Sequence, residues 1–171
     1  MKTIIVEVII LVIFIIPTIY AFCIGAPILF TPKISIRKTL EYCKIKKGGV
    51  FYDLGSGTGR NLIIASREFG LKSVGFELSP ILFLISKINL FLHRVEADVW
   101  IKNFYHSDLS EADIIFCFLS SKAMKKLSSK FEKELKSGTK IISYSFPISN
   151  WNPIKIINTN NPGKIFIYEK N

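Results

Sequence analysis

Strands and helices alternate along most of this chain, and two strands in succession end it. That order predicts a doubly wound, Rossmann-like α/β sheet with a closing antiparallel hairpin, preceded by one apolar helix. Three observations carry the expectation. Short apolar runs recur between stretches of helical spacing. Two of those runs, Val50 to Leu54 and Ser73 to Glu77, carry an acid at or near their end and are followed by a turn or a helix start. Near the C-terminus, Asn160-Asn161-Pro162-Gly163 separates Ile154–Ile157 from Lys164–Tyr168, as a hairpin turn does.

In chain order, Thr3 to Ile24 is almost unbroken apolar sequence. As a helix it reaches roughly 33 Å, enough for a hydrocarbon core of about 30 Å. Glu7 lies near one end, Pro17 late in the span, and Tyr20 and Phe22 near the other interface. A cleaved signal peptide is the rival, with Lys2 as its charged start and Ala21 and Ala26 as small residues. The run exceeds an ordinary signal-peptide core, so an uncleaved anchor is expected. Lys33, Arg37, Lys38, Lys44, Lys46 and Lys47 follow it and only Lys2 precedes it. The positive-inside rule then puts the following domain on the cytoplasmic side. Residues 1–30 read as transmembrane anchor and connector, and residues 31–171 as the domain.

A helix is expected from Thr31 or Pro32 to Cys43, with Ile34, Ile36, Leu40 and Cys43 apolar. The first strand follows from Val50 to Leu54, then a helix from Gly59 to Phe69 that stops at Gly70. The second strand is Ser73 to Glu77, and the next helix, Pro80 to Leu92, is apolar on more than one face, as on a sheet or near lipid. Asp98–Lys102 and Asp113–Leu119 read as strands three and four. Ala123 to Lys136 is amphipathic, and Thr139 to Phe146 is strand five.

With 171 residues, one compact domain is the prior. The net charge of +10 lies after the apolar start, because Lys2 and Glu7 cancel. Such a surface suits an anionic membrane face, nucleic acid or an acidic protein, or simply solubility. Cys23, Cys43 and Cys117 lie far apart, without metal-binding spacing, and read as reduced, buried thiols in a reducing compartment. No metal site is expected.

The chemistry concentrates in Val50-Phe51-Tyr52-Asp53-Leu54-Gly55-Ser56-Gly57-Thr58-Gly59-Arg60. Alternate glycines permit positive φ and let a ligand approach the backbone. Free amides at the helix start would favour a negative group. The spacing is not the dinucleotide fingerprint, because Gly59 follows Gly57 by two positions rather than three. Glu77 stands where nucleotide-binding α/β folds use an acid for the ribose hydroxyls. Its alternatives are a solvated strand-end acid or a cap for the helix near Ser79-Pro80.

This pattern resembles motif I of class I S-adenosylmethionine (SAM)-dependent methyltransferases. The chain as a whole resembles a family of small, single-span members from prokaryotes and mitochondria, several of which are protein-lysine N-methyltransferases. The match is carried by the anchor with Gly25-Ala26-Pro27 and Thr31-Pro32, by Asp53-Leu54-Gly55-Ser56-Gly57 through Gly59-Arg60, and by Gly75-Phe76-Glu77-Leu78-Ser79-Pro80. Phe131-Glu132-Lys133-Glu134-Leu135, Phe146-Pro147 and Trp151-Asn152-Pro153 complete it. The resemblance implies SAM as cofactor, held by Asp53, Gly55, Ser56, Gly57, Gly59 and Glu77. Asn103 stands where an acid often meets the adenine amine, and reads equally as a turn residue. Members often have Asp in place of Thr58 and Pro near Leu119-Ser120-Ser121, which leaves the acceptor and even activity open. Ser121, Phe146, Pro147 and Trp151 are candidate acceptor contacts, or loop packing. No catalytic base is assigned, and His93 and His106 read as surface or turn residues.

The expected function is methylation of a lysine on a membrane-associated protein. The alternatives are a methyltransferase for a small molecule, lipid or RNA, or a non-catalytic SAM-binding membrane module. Nucleic acid is the less favoured partner, because no base-stacking Asn-Pro-Pro-Tyr motif is present.

Overall fold

The computed structural model describes residues 2–24, 31–159 and 163–171. Most of the expected connector and the tip of the expected hairpin turn lie outside these residues. The N-terminal helix comprises α1 (Lys2–Ile10), a π-helical stretch (Leu11–Ile15) and α2 (Ile16–Ile24). Pro17 accounts for the widened middle. It lacks an amide hydrogen, and its ring crowds the carbonyl four residues earlier, at Ile13. Thr3–Ala21 is long and apolar enough to cross a membrane, by length and composition.

The domain is a mixed sheet of seven strands in the order β3-β2-β1-β4-β5-β7-β6. They are β1 (Val50–Leu54), β2 (Lys72–Glu77), β3 (Ala97–Ile101), β4 (Ile114–Cys117), β5 (Lys140–Tyr144), β6 (Lys155–Asn158) and β7 (Lys164–Glu169). The first five run parallel, and β7 inserts antiparallel between β5 and β6. The expected doubly wound sheet with its antiparallel closing hairpin is therefore the observed one.

Strand residues alternate between two cores. On one face, α3 (Lys33–Cys43), α4 (Arg60–Phe69) and α5 (Pro80–Leu92) adjoin a core built on Phe51, Leu62, Phe116 and Ile142. On the other, α6 (Ser121–Glu134) sets Met124, Leu127 and Phe131 against Tyr52, Leu54, Phe76 and Ile141. No helix covers the crossover from β3 to β4. Phe104, Leu109 and Ala112 of that irregular segment join the second core instead.

Local chemistry sets the helix ends. Gly70 adopts φ +66° and closes α4, as its position predicted. Ser79 caps α5, its hydroxyl accepting from the Leu82 amide at 3.2 Å, with Pro80 in the first turn. α6 begins two residues before the expected Ala123, because Ser120 accepts from the Ala123 amide and caps it. Arg37 joins α3 to Glu68 of α4 through two bonds of 2.6 and 2.7 Å. Both partners are exposed, so apolar contacts rather than this pair hold the layer.

Phe131 is fully buried at the centre of the α6 face. Phe131→Ala is expected to lower the unfolding free energy by about 3–5 kcal/mol, measured by urea denaturation of the detergent-solubilised chain.

Candidate functional site

The strand ends after β1, β2, β4 and β5 open on one edge of the sheet, where a doubly wound fold places its ligand. The turn after β1 is fastened to β2 before any ligand is considered. The Gly55 and Ser56 amides both donate to the Phe76 carbonyl, at 2.9 and 3.1 Å. The Gly59 amide donates to the Ser56 carbonyl at 2.9 Å. Asn89 of α5 donates through Nδ2 to the Thr58 carbonyl at 2.9 Å.

The glycines in this turn do different work. Gly55 and Gly57 have φ of +82° and +55°, which L side chains rarely adopt. A Cβ on Gly57 would meet open space, so only its conformation demands glycine, and its outer side is free for a ligand. A Cβ on Gly59 would lie 2.3 Å from Ser86 Oγ, so this glycine lets α5 pack closely against the turn. Gly75 of β2 leaves room for Ser56, whose Oγ would lie 2.5 Å from a Cβ there. Ser56 Oγ is buried and has no hydrogen-bond partner among the described residues.

Two acids end the adjacent strands. Glu77 is buried, and its carboxylate bridges two segments. One oxygen accepts from the Gly57 amide and the other from the Ser79 amide, each at 2.8 Å. Burial raises its pKa, and those amides oppose the rise. Of the alternatives for Glu77, the structure shows a contact to the start of α5 and a second contact to the glycine turn. A carboxylate retains lone pairs for hydroxyl donors beyond these two bonds.

Asp53 is only 2 % exposed and accepts one long bond, from Asn61 Nδ2 at 3.3 Å. Burial pushes its pKa up to about 7, Asn61 opposes the rise, and the nearby Glu77 charge adds to it. Cys117, buried at the end of β4, has a thiol held well above its ordinary range by burial and by Asp53. Cys43 is buried as expected, but Cys23 is exposed, because it lies on the outer side of the N-terminal helix. Two close, buried carboxyls facing an open glycine turn make a site for a cation that also carries hydroxyls. The ammonium and ribose of SAM fit that description.

The structure disperses the other expected contacts. Asn103 Oδ1 accepts from the Tyr105 amide at 3.0 Å, as a turn residue does. Asn103 also lines a cleft of about 400 Å³ with Tyr52, Trp100, His106, Asp108 and Glu111. That cleft lies along the α6 face of the sheet beneath the β3–β4 crossover, and Asn103 is its link to the strand-end edge. Leu119 reaches the glycine turn, its Cδ2 standing 3.4 Å from a Cβ built on Gly55. Ser121 is exposed at the start of α6.

The segment after β5 is held in an unusual conformation, with Ser145 and Asn150 at φ +71° and +64°. Ser143 donates its hydroxyl to the Phe146 carbonyl, and the Ile148 amide donates to Tyr168 Oη at 3.0 Å. Phe146 and Trp151 are half-buried, Pro147 is exposed, and Trp151 meets Tyr168 edge-on at 6.2 Å. Phe146, just past the end of β5, borders the strand-end edge, whereas Trp151 packs on Tyr168 and beside Lys170, level with the start of β5, so the structure does not bring this expected pair together.

Sequence reasoning missed Asn61, Asn89 and Cys117. Asn61 carried one readable signal, as the polar residue in the first turn of the helix after the glycines. Asn89 and Cys117 carried none, because their roles depend on contacts made by folding.

A family model described as the ANTKMT methyltransferase domain matches residues 53–155. The chain is 36% identical over 134 residues to a protein-lysine N-methyltransferase of Saccharolobus islandicus, covering 77% of this chain and 83% of that one. It is 29% identical over 128 residues to the adenine nucleotide translocase lysine N-methyltransferase of Mus musculus, covering 72% of this chain and 56% of that one. The chain thus spans little more than half the length of that mouse relative. Among solved structures, an RNA methyltransferase from Salinibacter ruber in complex with S-adenosyl-L-homocysteine superimposes with a TM-score of 0.79. That pair is 27% identical, with 82% of this chain and 93% of that one covered.

Asp53 generates a pH prediction for the ligand-free protein. Its unfolded value is 3.8 and its folded value about 7, so between them the folded state holds more protons. Its contribution to stability is complete below the lower value and is lost as pH rises through the upper one. Asp53→Asn should remove a slope of at most about 1.4 kcal/mol per pH unit from that window. Urea unfolding of both proteins across the range measures it, and equal slopes would remove the raised Asp53.

Proposed function

The chain belongs to the ANTKMT methyltransferase domain family, and we propose that it is a class I SAM-dependent methyltransferase acting on a lysine of a membrane-associated protein. The observation that carries the cofactor assignment is the pair of buried acids, Asp53 and Glu77, around the open side of Gly57. Asp53 would hold the ammonium group of SAM. Glu77 would hold the ribose hydroxyls while keeping its bonds to Gly57 and Ser79. Asn103 would offer its remaining acceptor capacity to the adenine amine.

SAM supplies a methyl group already activated on a cationic sulfur, so the protein's part is to position the reactants and exclude water. A lysine attacks only when neutral, although its ordinary pKa is about 10.4. Apolar walls disfavour the ammonium form, and Phe146, just past the end of β5, suits that part along the lysine stem. A dedicated base is not needed. His93 lies just beyond the C-terminal end of α5, remote from the edge where Ser79 begins that helix.

The lysine assignment is supported by the names of the relatives from Saccharolobus islandicus and Mus musculus. The membrane assignment is supported by Thr3–Ala21 and the basic residues that follow it. In this reading the N-terminal helix remains attached, spans the membrane once, and leaves the domain at the cytoplasmic surface. RNA as acceptor is the second reading, favoured by the Salinibacter ruber neighbour and the net charge of +10.

Two measurements test these assignments. In calorimetry on the full chain, Glu77→Ala is expected to weaken SAM binding by about 10- to 100-fold. Asn103→Ala should weaken it less, and wild-type affinity in Glu77→Ala would remove the ribose assignment. Radiolabelled SAM added to membranes should label protein lysines in the presence of the chain, and Asp53→Ala should abolish that label. Label confined to RNA or lipid extracts would overturn the lysine assignment and leave the methyltransferase intact.

A further inference from the structure

α5 is built inside out for a helix on the surface of a soluble domain. Its inner side packs normally: Ser86 and Leu90 are buried, and Ser86 meets the glycine turn at Gly59. Its outer side carries Ile81, Leu84, Ile85, Ile88, Phe91 and Leu92, from 38% exposed at Ile85 to 82% at Phe91. Their spacing repeats at three and four residues, so they form one continuous apolar stripe. A patch of this kind on a monomeric protein marks an interaction surface.

The neighbouring elements identify what covers it. The N-terminal helix lies against the start of α5, where Thr18 Oγ1 and Ser79 Oγ are 2.9 Å apart. Phe14, Pro17, Thr18 and Ala21 are partly buried along one side of that helix, and most of its other described side chains are exposed and apolar. The two apolar surfaces are therefore continuous, and hydrocarbon that bathes one also reaches the other. α5 contains no acid. Lys87 stands beside the stripe, its Nζ 5.9 Å from the Phe83 ring, and His93 and Arg94 are exposed beyond the last turn. An apolar stripe with a basic margin suits an anionic lipid surface.

We propose that the outer face of α5 is a second membrane contact, lying in the interfacial layer of the bilayer that the N-terminal helix enters. This rests on the single-span reading and adds an orientation to it. Ser79 begins α5 and donates its amide to Glu77, so docking α5 holds the cofactor edge of the sheet beside the lipid.

The test uses the full chain with Cys23→Ser, since Cys43 and Cys117 are buried and shielded from labelling. A single cysteine introduced by Ile88→Cys or Phe91→Cys carries an environment-sensitive fluorophore. Ile13→Cys reports the anchor and Glu96→Cys serves as an exposed control. Each protein is reconstituted in phosphatidylcholine–phosphatidylglycerol vesicles with or without nitroxide-labelled lipid. The nitroxide is shallow for positions 88, 91 and 96 and near the acyl-chain end for position 13, which is central in Thr3–Ala21. Emission at positions 88 and 91 is expected to fall by about half or more, as for a helix sunk into the headgroup boundary. Position 96 should be unaffected. Unquenched, water-like emission at 88 and 91 with quenching at 13 would overturn the proposal and leave the anchor standing. Absence of quenching at all three would overturn both. A blue shift at 88 that persists in detergent and grows with protein concentration would assign the face to a second copy instead. Unchanged SAM affinity in the labelled variants separates each of these outcomes from a failure of the methyltransferase reading.

Discussion

The site depends on one carboxylate that faces two ways. Glu77 ends β2 and accepts from Gly57 and from Ser79, so a single side chain ties the glycine turn to the start of α5. Neither amide has another acceptor built for it at this edge. Gly57 at φ +55° has no side chain with which to hold itself, and Ser79 uses its hydroxyl to cap Leu82. Removing the carboxylate would leave the buried Ser79 amide and the part-buried Gly57 amide to find water. It would also release the turn whose shape defines the cofactor edge. An amide side chain at 77 could satisfy one of those donors but not both, because its nitrogen is itself a donor.

The same arrangement is costly without a ligand. Asp53 and Glu77 are buried carboxyls, the Glu77 charge adds to the raised proton affinity of Asp53, and Asp53 has only the long Asn61 bond to offset its burial. A cation beside them relieves both the repulsion and the desolvation. The free protein thus holds its carboxyls in a state that a cationic ligand improves, and a neutral nucleoside would not. This distinguishes the turn from dinucleotide sites, where the helix start faces a pyrophosphate and a charged acid at the position of Asp53 would repel it. The departure in glycine spacing and the buried Asp53 lead to the same ligand class by separate routes.

The fold was readable because its signals are local. The Val50–Leu54 strand, the Gly70 stop and the Ser79-Pro80 helix start each follow from residues adjacent in the chain. Both acids were readable for the same reason, since each lies at or near the end of an apolar run. What escaped depends on contacts across the sheet. Asn89 meets Thr58 from 31 positions away, and nothing around it marks it as a support for the turn. No helix was expected before β4 and none forms, but the packing of Phe104 and Leu109 into the core was silent in the same way, because they lack helical spacing. For the loop after β5, Phe146 and Trp151 were visible as aromatic residues. The packing of Trp151 on Tyr168 and the positive φ of Ser145 were not.

In the proposed single-span reading, the contact between Thr18 and Ser79 would give the N-terminal helix a part beyond holding the chain at a membrane. Ser79 stands between that helix and Glu77: its hydroxyl meets Thr18 while its amide holds the carboxylate. A flexible tether confines an enzyme to a shell of the tether's length and raises the effective concentration of every acceptor within it. A tether that also touches the domain does more, because it restricts which edge of the sheet meets those acceptors. Here that contact falls at the strand-end edge, within two residues of Glu77. Acceptors at the height of the lipid surface would therefore meet the reactive edge rather than the closed end of the sheet. If the loop after β5 meets the acceptor as proposed, weak intrinsic recognition there would be sufficient, since orientation would already have removed most of the unproductive encounters. The extent of that selection follows from the position of α5 relative to the lipid, not from the affinity of the acceptor pocket.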